Sequence, residues 1–255
     1  MDGDDCVSSE DFRKVLEQIR HCDHVFDVYM FDYYRFDCRS CRYENHFIIP
    51  EKTILRGEDS LNQILDGHGC FWNVWRFIYN RTFLEINNLF FLENYLAEDI
   101  DYTTKVLLAR PDIVFIHDPY YIYYVGREKS LMENPTIKNL EDTIFVLQRS
   151  IILIAENSRS FSELVCTHYQ FEYFLNLALL YEIPKEVRPR GRKVFADIKS
   201  ILSIGSDPVI KTAEIVYRIL GLNLTAYVLH FFKILKRKKQ TITAVSFFRN
   251  HFISS

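Results

Sequence analysis

Three carboxylates stand within four positions at the start of the 255-residue chain, in Asp2-Gly3-Asp4-Asp5. Hard oxygen ligands so close together repel one another unless they are solvated or bridged by a cation such as Mg2+ or Mn2+. An EF-hand loop would use Asp2 and Asp4 as its first ligands, but Cys6 then stands where the next ligand belongs and Val7 where the glycine belongs. The spacing leaves two readings open, a cation-holding segment or a solvated acidic stretch ahead of a helix. Two Glu-Asp pairs follow, Glu58-Asp59 and Glu98-Asp99. Acids in a first helical turn complement the helix dipole, so neither pair is informative by itself. Glu98-Asp99 differs in its setting, because Trp72, Trp75 and many Tyr and Phe surround it in sequence. A carboxylate among apolar groups holds a proton more tightly, which suits it to act as a base.

Other reactive residue types carry less. Cys38-Arg39-Ser40-Cys41 is a single C-x-x-C without the second pair that a structural zinc site requires, and it is read as coincidence. The histidines, among them His68, His117 and His168, show no metal-ligand spacing and are read as structural.

The elements that must position these groups divide the chain near residue 135. A capping-box-like start at Ser8-Ser9-Glu10-Asp11 leads into Phe12, Val15, Leu16 and Ile19 at helical spacing. Strands are expected at Val25 to Arg35, His46 to Ile49, Val74 to Tyr79, Ile113 to Ile116 and Tyr120 to Val125. Helices are expected at Glu58 to Leu65, from a cap at Thr82, and at Asp99 to Ala109. After Asn134-Pro135 the segments Leu140 to Ile154, Phe161 to Tyr181, Val194 to Leu202, Val209 to Leu220 and Leu224 to Lys236 all show helical apolar spacing. The expectation is an α/β part over 1–135 and a helical part over 136–255.

Composition frames these readings. With 48% hydrophobic and 25% charged residues, the chain is neither disordered, collagen-like nor a disulfide miniprotein. Its first residues lack the cationic start and apolar core of an export signal, so its six cysteines are read as reduced cytosolic thiols. From His230 to Ser255 there are basic residues at 233, 236, 237, 238, 239 and 249 and no acid, while the net charge of the whole is -3. An acidic body with a basic, aromatic tail argues against a nucleic-acid groove and allows contact with an anionic membrane surface. The greasy stretch Ile215 to Phe232 is interrupted by Arg218, Asn223 and His230 before it reaches the roughly 20 apolar residues of a span.

Taken in order, several segments resemble a known family. Asp2-Gly3-Asp4-Asp5 and its following helix come first, then Trp72-Asn73-Val74-Trp75-Arg76-Phe77-Ile78-Tyr79 and Asn87-Asn88-Leu89-Phe90-Phe91. Ala97-Glu98-Asp99-Ile100-Asp101-Tyr102 and Tyr120-Tyr121-Ile122-Tyr123-Tyr124 with Arg127-Glu128-Lys129-Ser130-Leu131-Met132 complete the series. Their order and spacing resemble bacterial family 2 glycosyltransferases of the GT-A fold, of the kind that builds capsule, exopolysaccharide and lipopolysaccharide. The resemblance spans about residues 1 to 135. It implies that Asp2, Asp4 and Asp5, with Asp4 foremost, hold Mg2+ or Mn2+ against the diphosphate of a nucleotide-sugar. It implies that Asp99, with Glu98 beside it, takes the proton from an acceptor hydroxyl in a single displacement that inverts the sugar. Arg127 is placed near the diphosphate or acceptor, and Trp72 and Trp75 either stack on sugar faces or serve as core aromatics.

The family's first Rossmann-like strands, with a Pro-x-Tyr-Asn-like turn and a segment gripping the base, have no counterpart ahead of Asp2. The expectation is therefore the C-terminal part of a GT-A domain followed by a helical region, with Met1 an internal methionine used as a start. The expected partners are a nucleotide-sugar donor and a saccharide or polyprenol-linked acceptor, at the inner face of the cell membrane and with no nucleic acid. The competing expectation is a non-catalytic binding or membrane-associated assembly module.

Overall fold

The computed structural model describes residues 5–38, 40–46, 54–56, 73–127, 134–157, 162–203 and 207–252. It separates into two compact units, one of residues 1–133 with 146–165 and one of 134–145 with 166–255. The fold is mixed α/β, a central sheet with helices followed by a helical C-terminal part.

In the first unit, β1 (Cys6–Val7) leads into α1 (Ser9–Arg20), whose N-terminal amides are capped by Ser8, the Asp11 N–H donating to Ser8 Oγ at 3.3 Å. β2 (Val28–Asp37), β3 (Arg42–His46), β4 (Ile54–Leu55) and β5 (Phe77–Tyr79) follow, the last entered through a 3-10 turn at Val74–Arg76. Then come α2 (Arg81–Ile86), α3 (Glu98–Leu108) and β6 (Ile113–Val125). β2 and β6 run parallel at the centre, and the other described strands pair with them antiparallel. A parallel pair needs a long crossover, here everything between Asp37 and Ile113.

The register of the central pair is broken once. Phe31 faces Ile116 and Tyr33 faces Tyr121, so Asp32 alone stands opposite His117 to Tyr120. Pro119, which has no N–H to give a ladder, sits in this bulge. The two strands expected at 113–116 and 120–125 are thus one strand with a bulge between its halves. After Asp37 the chain turns back tightly into the strand Arg42–His46, and the strand expected at His46 to Ile49 lies, past His46, outside the described residues. Two other expectations move. Val74 to Tyr79 is half 3-10 turn, and α2 is capped by Asn80, whose side chain accepts from the Thr82 N–H at 2.9 Å. The helix expected at Glu58 to Leu65 lies outside the described residues.

α1 lays Val15 and Phe12 on the sheet face formed by Tyr29, Phe31, Tyr33, Val114, Ile116 and Tyr121. The other face of β2 carries Val28, Met30 and Asp32, all buried as well, as befits the middle of a sheet covered on both sides.

The second unit is helical. α4 (Ile137–Asn157) gives its first turns to this unit and its later turns to the first. α5 (Ser162–Leu179), α6 (Arg188–Asp197) and α7 (Pro208–Phe252) follow, with 3-10 turns at Lys185–Val187 and Lys199–Ser203. The single helix expected at Val194 to Leu202 is divided at Ile198, where α6 gives way to the second of these turns. Tyr173, fully buried, donates its hydroxyl to the Phe195 carbonyl at 3.1 Å. A Cβ at Gly191 would lie 2.7 Å from Leu180 Cδ1, so a side chain there would require Leu180 to shift.

Candidate active site

The last acid of the opening segment is not a surface group. The Asp5 side chain is fully buried beside the end of β6, where the Tyr121 hydroxyl donates to its Oδ2 at 2.8 Å and the Tyr124 N–H to its Oδ1 at 3.0 Å. Arg127 brings a guanidinium nitrogen to 3.6 Å of Oδ1. A buried carboxylate is tolerable only where donors and a counter-charge replace its water, and these three groups do so. β1 then continues along β6, Cys6 opposite Ile122 and Val7 opposite Tyr121, so the chain leaving the acidic segment is zipped to the strand that holds Asp5.

Trp75 belongs to the same cluster. Its indole stacks on Tyr121 with ring centres 4.4 Å apart and planes 10° apart, lies over Tyr123 at 5.1 Å, and meets the edge of Tyr33 at 4.9 Å. It packs partly buried against the core beneath α1. Arg76 is buried, donates to the Phe31 carbonyl at 3.3 Å through two nitrogens, and lies over the Tyr33 ring. Asp5, Arg127 and Trp75 are thus brought together around Tyr121. Asp2, Asp4 and Trp72 lie outside the described residues.

Glu98 and Asp99 open α3, half-buried, and Asp99 Oδ1 accepts from the Ile100 N–H at 2.9 Å. The residue before them, Ala97, is left-handed at φ 61°, a conformation that costs an L-residue with a Cβ about 1–2 kcal/mol. One turn further, Asp101 is wholly buried, with Arg149 Nε 2.9 Å from Oδ1 and Lys105 Nζ 2.8 Å from Oδ2, the latter pair close without hydrogen-bond alignment. Tyr102 stacks on Phe91 at 4.1 Å and meets Tyr79 of β5 edge-on at 5.7 Å. The acid pair therefore sits on a helix start pinned by a buried charge and by two aromatic contacts.

The sequence reading missed Asp101, Arg149 and Asp32. Asp32, buried opposite the bulge, lies 3.2 Å from His117 Nδ1. Asp101 carried a signal, as the third acid of the first turn. Asp32 had one too, being an acid between aromatic neighbours inside a strand. Burial raises the Tyr79 and Tyr102 hydroxyls above their ordinary range and pushes Tyr120 up to about 12. Cys6, Cys22, Cys38 and Cys41 are free thiols, and no group of three or more potential metal ligands is found among the described residues.

No family model matches the sequence, and no curated protein matches it. The fold has a solved counterpart. The chain superposes on the crystal structure of S. aureus TarS 1-349 with a TM-score of 0.58 and 16% identity, over 91% of this chain and 65% of that one. At this identity the likeness speaks for the fold alone. That fold is glycosyltransferase-like, and this chain spans 65% of the length of the chain it matches.

Proposed function

We propose that the chain is an inverting glycosyltransferase of family 2 type, moving a sugar from a nucleotide-sugar to a saccharide or lipid-linked saccharide in cell-surface polysaccharide synthesis at the cytoplasmic face of the membrane. The observation that carries this reading is the fixed relation of Asp5, Tyr121 and Arg127 at the end of β6 within a glycosyltransferase-like fold. Asp5 spends its oxygens on donors from the protein, so it acts as the anchor of the acidic segment. Asp4 and Asp2 are the carboxylates that would hold Mg2+ or Mn2+, a donor set of hard oxygens suited to either. The bound metal would neutralise charge on the departing diphosphate.

The remaining work falls to side chains. Asp99 takes the proton of the acceptor hydroxyl while that oxygen bonds to the anomeric carbon and the bond to the diphosphate breaks. Glu98 stands beside it. Arg127, partly exposed beside Asp5, would meet the leaving diphosphate as a second positive group. Titrating the chain with Mn2+ and UDP in a calorimeter tests the reading: saturable, metal-dependent heat is expected. Asp99→Asn should keep that heat and lose sugar transfer. A silent titration would favour a non-catalytic module, and transfer that survives Asp99→Asn would remove Asp99 from the role.

A further inference from the structure

The second unit ends on a helix with an apolar outer side. Along the inner side of α7, Thr225 and Ala226 are buried, and His230 and Lys233 reach Glu182 at 3.7 and 2.8 Å. On the opposite side Leu224, Phe231 and Leu235 stand at helical spacing with Phe232 beside them, all four exposed, while Tyr227 between them meets the Tyr181 ring edge-on at 5.6 Å. Before the break at Gly221, Ile215 and Ile219, one turn apart, are also exposed, at 57% and 76%.

By length and composition, Pro208–Leu235 could cross a bilayer, and little of its most apolar stretch is buried. Its geometry argues otherwise. Gly221 adopts φ 70° and ψ 170°, a region essentially reserved for glycine, and a Cβ there would meet nothing within 4 Å. The backbone turn, rather than crowding, therefore requires the glycine. The turn divides the apolar run into residues 208–220 and 222–235, each rising roughly 20 Å, short of the roughly 30 Å hydrocarbon core. Directly beyond, the helix continues through Lys236, Arg237, Lys238 and Lys239, and no acid occurs from His230 to the end. Two copies packed on this stripe would set like charges against each other. An anionic bilayer surface offers apolar depth and opposite charge together.

We infer that the outer face of α7 from Ile215 to Leu235 lies flat on an anionic lipid surface, held there by the basic run, and does not span the membrane. The inference stands apart from the transferase reading, since its test needs no turnover. Flotation of the full chain with phosphatidylcholine vesicles, and with vesicles containing about a quarter phosphatidylglycerol, should show about tenfold more protein on the anionic ones at low salt. The bound protein should leave them in high salt or alkaline carbonate. Replacing Lys236, Arg237, Lys238 and Lys239 together by Gln should lower the bound fraction about tenfold. Phe231→Ser with Phe232→Ser should do the same with an unchanged circular dichroism spectrum. Should that pair fail to fold, the Gln variant decides. Equal binding to both vesicles, no binding, retention in carbonate, or a concentration-dependent dimer abolished by the Phe substitutions would each overturn the inference.

Discussion

Arg149 of α4 donates Nε–H to Asp101 Oδ1 of α3 at 2.9 Å, joining residues 48 positions apart around a carboxylate that has no solvent exposure. Removing one partner of such a pair leaves a buried charge short of its compensation. Arg149→Ala should therefore destabilise the fold by about 3 kcal/mol, somewhat tempered by Lys105 remaining near Oδ2. Urea denaturation of the variant and parent measures it. Asp101→Asn, which removes the charge and keeps the shape, should cost less.

Tyr121 and Asp5 make a second, separable test. Tyr121→Phe keeps the ring that stacks on Trp75 and deletes the donor to Asp5. A buried carboxylate that loses one of its donors should cost about 2 kcal/mol of stability. On the proposed function the same change loosens the acidic segment, so Mn2+ should bind more weakly by calorimetry. Trp75→Phe, which leaves the Asp5 hydrogen bond in place, should spare the metal affinity.

The alkaline side of the stability curve follows from the buried hydroxyls. Tyr120 is raised from 10.0 to about 12 by burial, so the folded state holds its proton more tightly than the unfolded chain does. Its contribution is complete below pH 10 and is lost as the pH climbs through 12, a change of about 3 kcal/mol at 1.36 kcal/mol per unit. Tyr79, Tyr102 and Tyr173 shift in the same direction. Melting temperature should fall steeply above pH 10, and Tyr120→Phe should flatten part of that fall.

Ala97 offers a gain instead of a loss. A glycine there accepts φ 61° without steric cost, and the relief is offset in part by its greater freedom in the unfolded chain. Ala97→Gly should be neutral or stabilising by about 1 kcal/mol, measured by thermal unfolding. At Gly221 the reverse substitution, Gly221→Ala, should cost about 1–3 kcal/mol.

Local signals were readable and tertiary ones were not. The Ser8 cap, the acid-rich start of α3 and the separation of apolar runs on either side of residues 220 to 224 all rest on periodicity and capping within one element. The break at Gly221 falls where the apolar spacing stops. The β6 bulge was legible as a gap between strands but not as an interruption within one, because only the partner strand defines continuity. Asp5 had the composition of a metal ligand, and nothing in its neighbours foretold that Tyr121 and Tyr124, more than a hundred residues on, would occupy its oxygens. Asp101 and Arg149 were missed for the same reason. Trp75 could be read either way from sequence, since a stacking surface is equally useful to a sugar and to a tyrosine.

The Tyr124 amide reaches Asp5 across 119 residues, and β6 is the strand on which β1, β2 and β4 all depend. Contacts of such long sequence separation form slowly and late. During synthesis, Asp5 is made well before β6 and has nothing to close upon until the chain has been extended past Val125. A nascent chain stalled before that point should expose the aromatic strand β2 without its parallel neighbour.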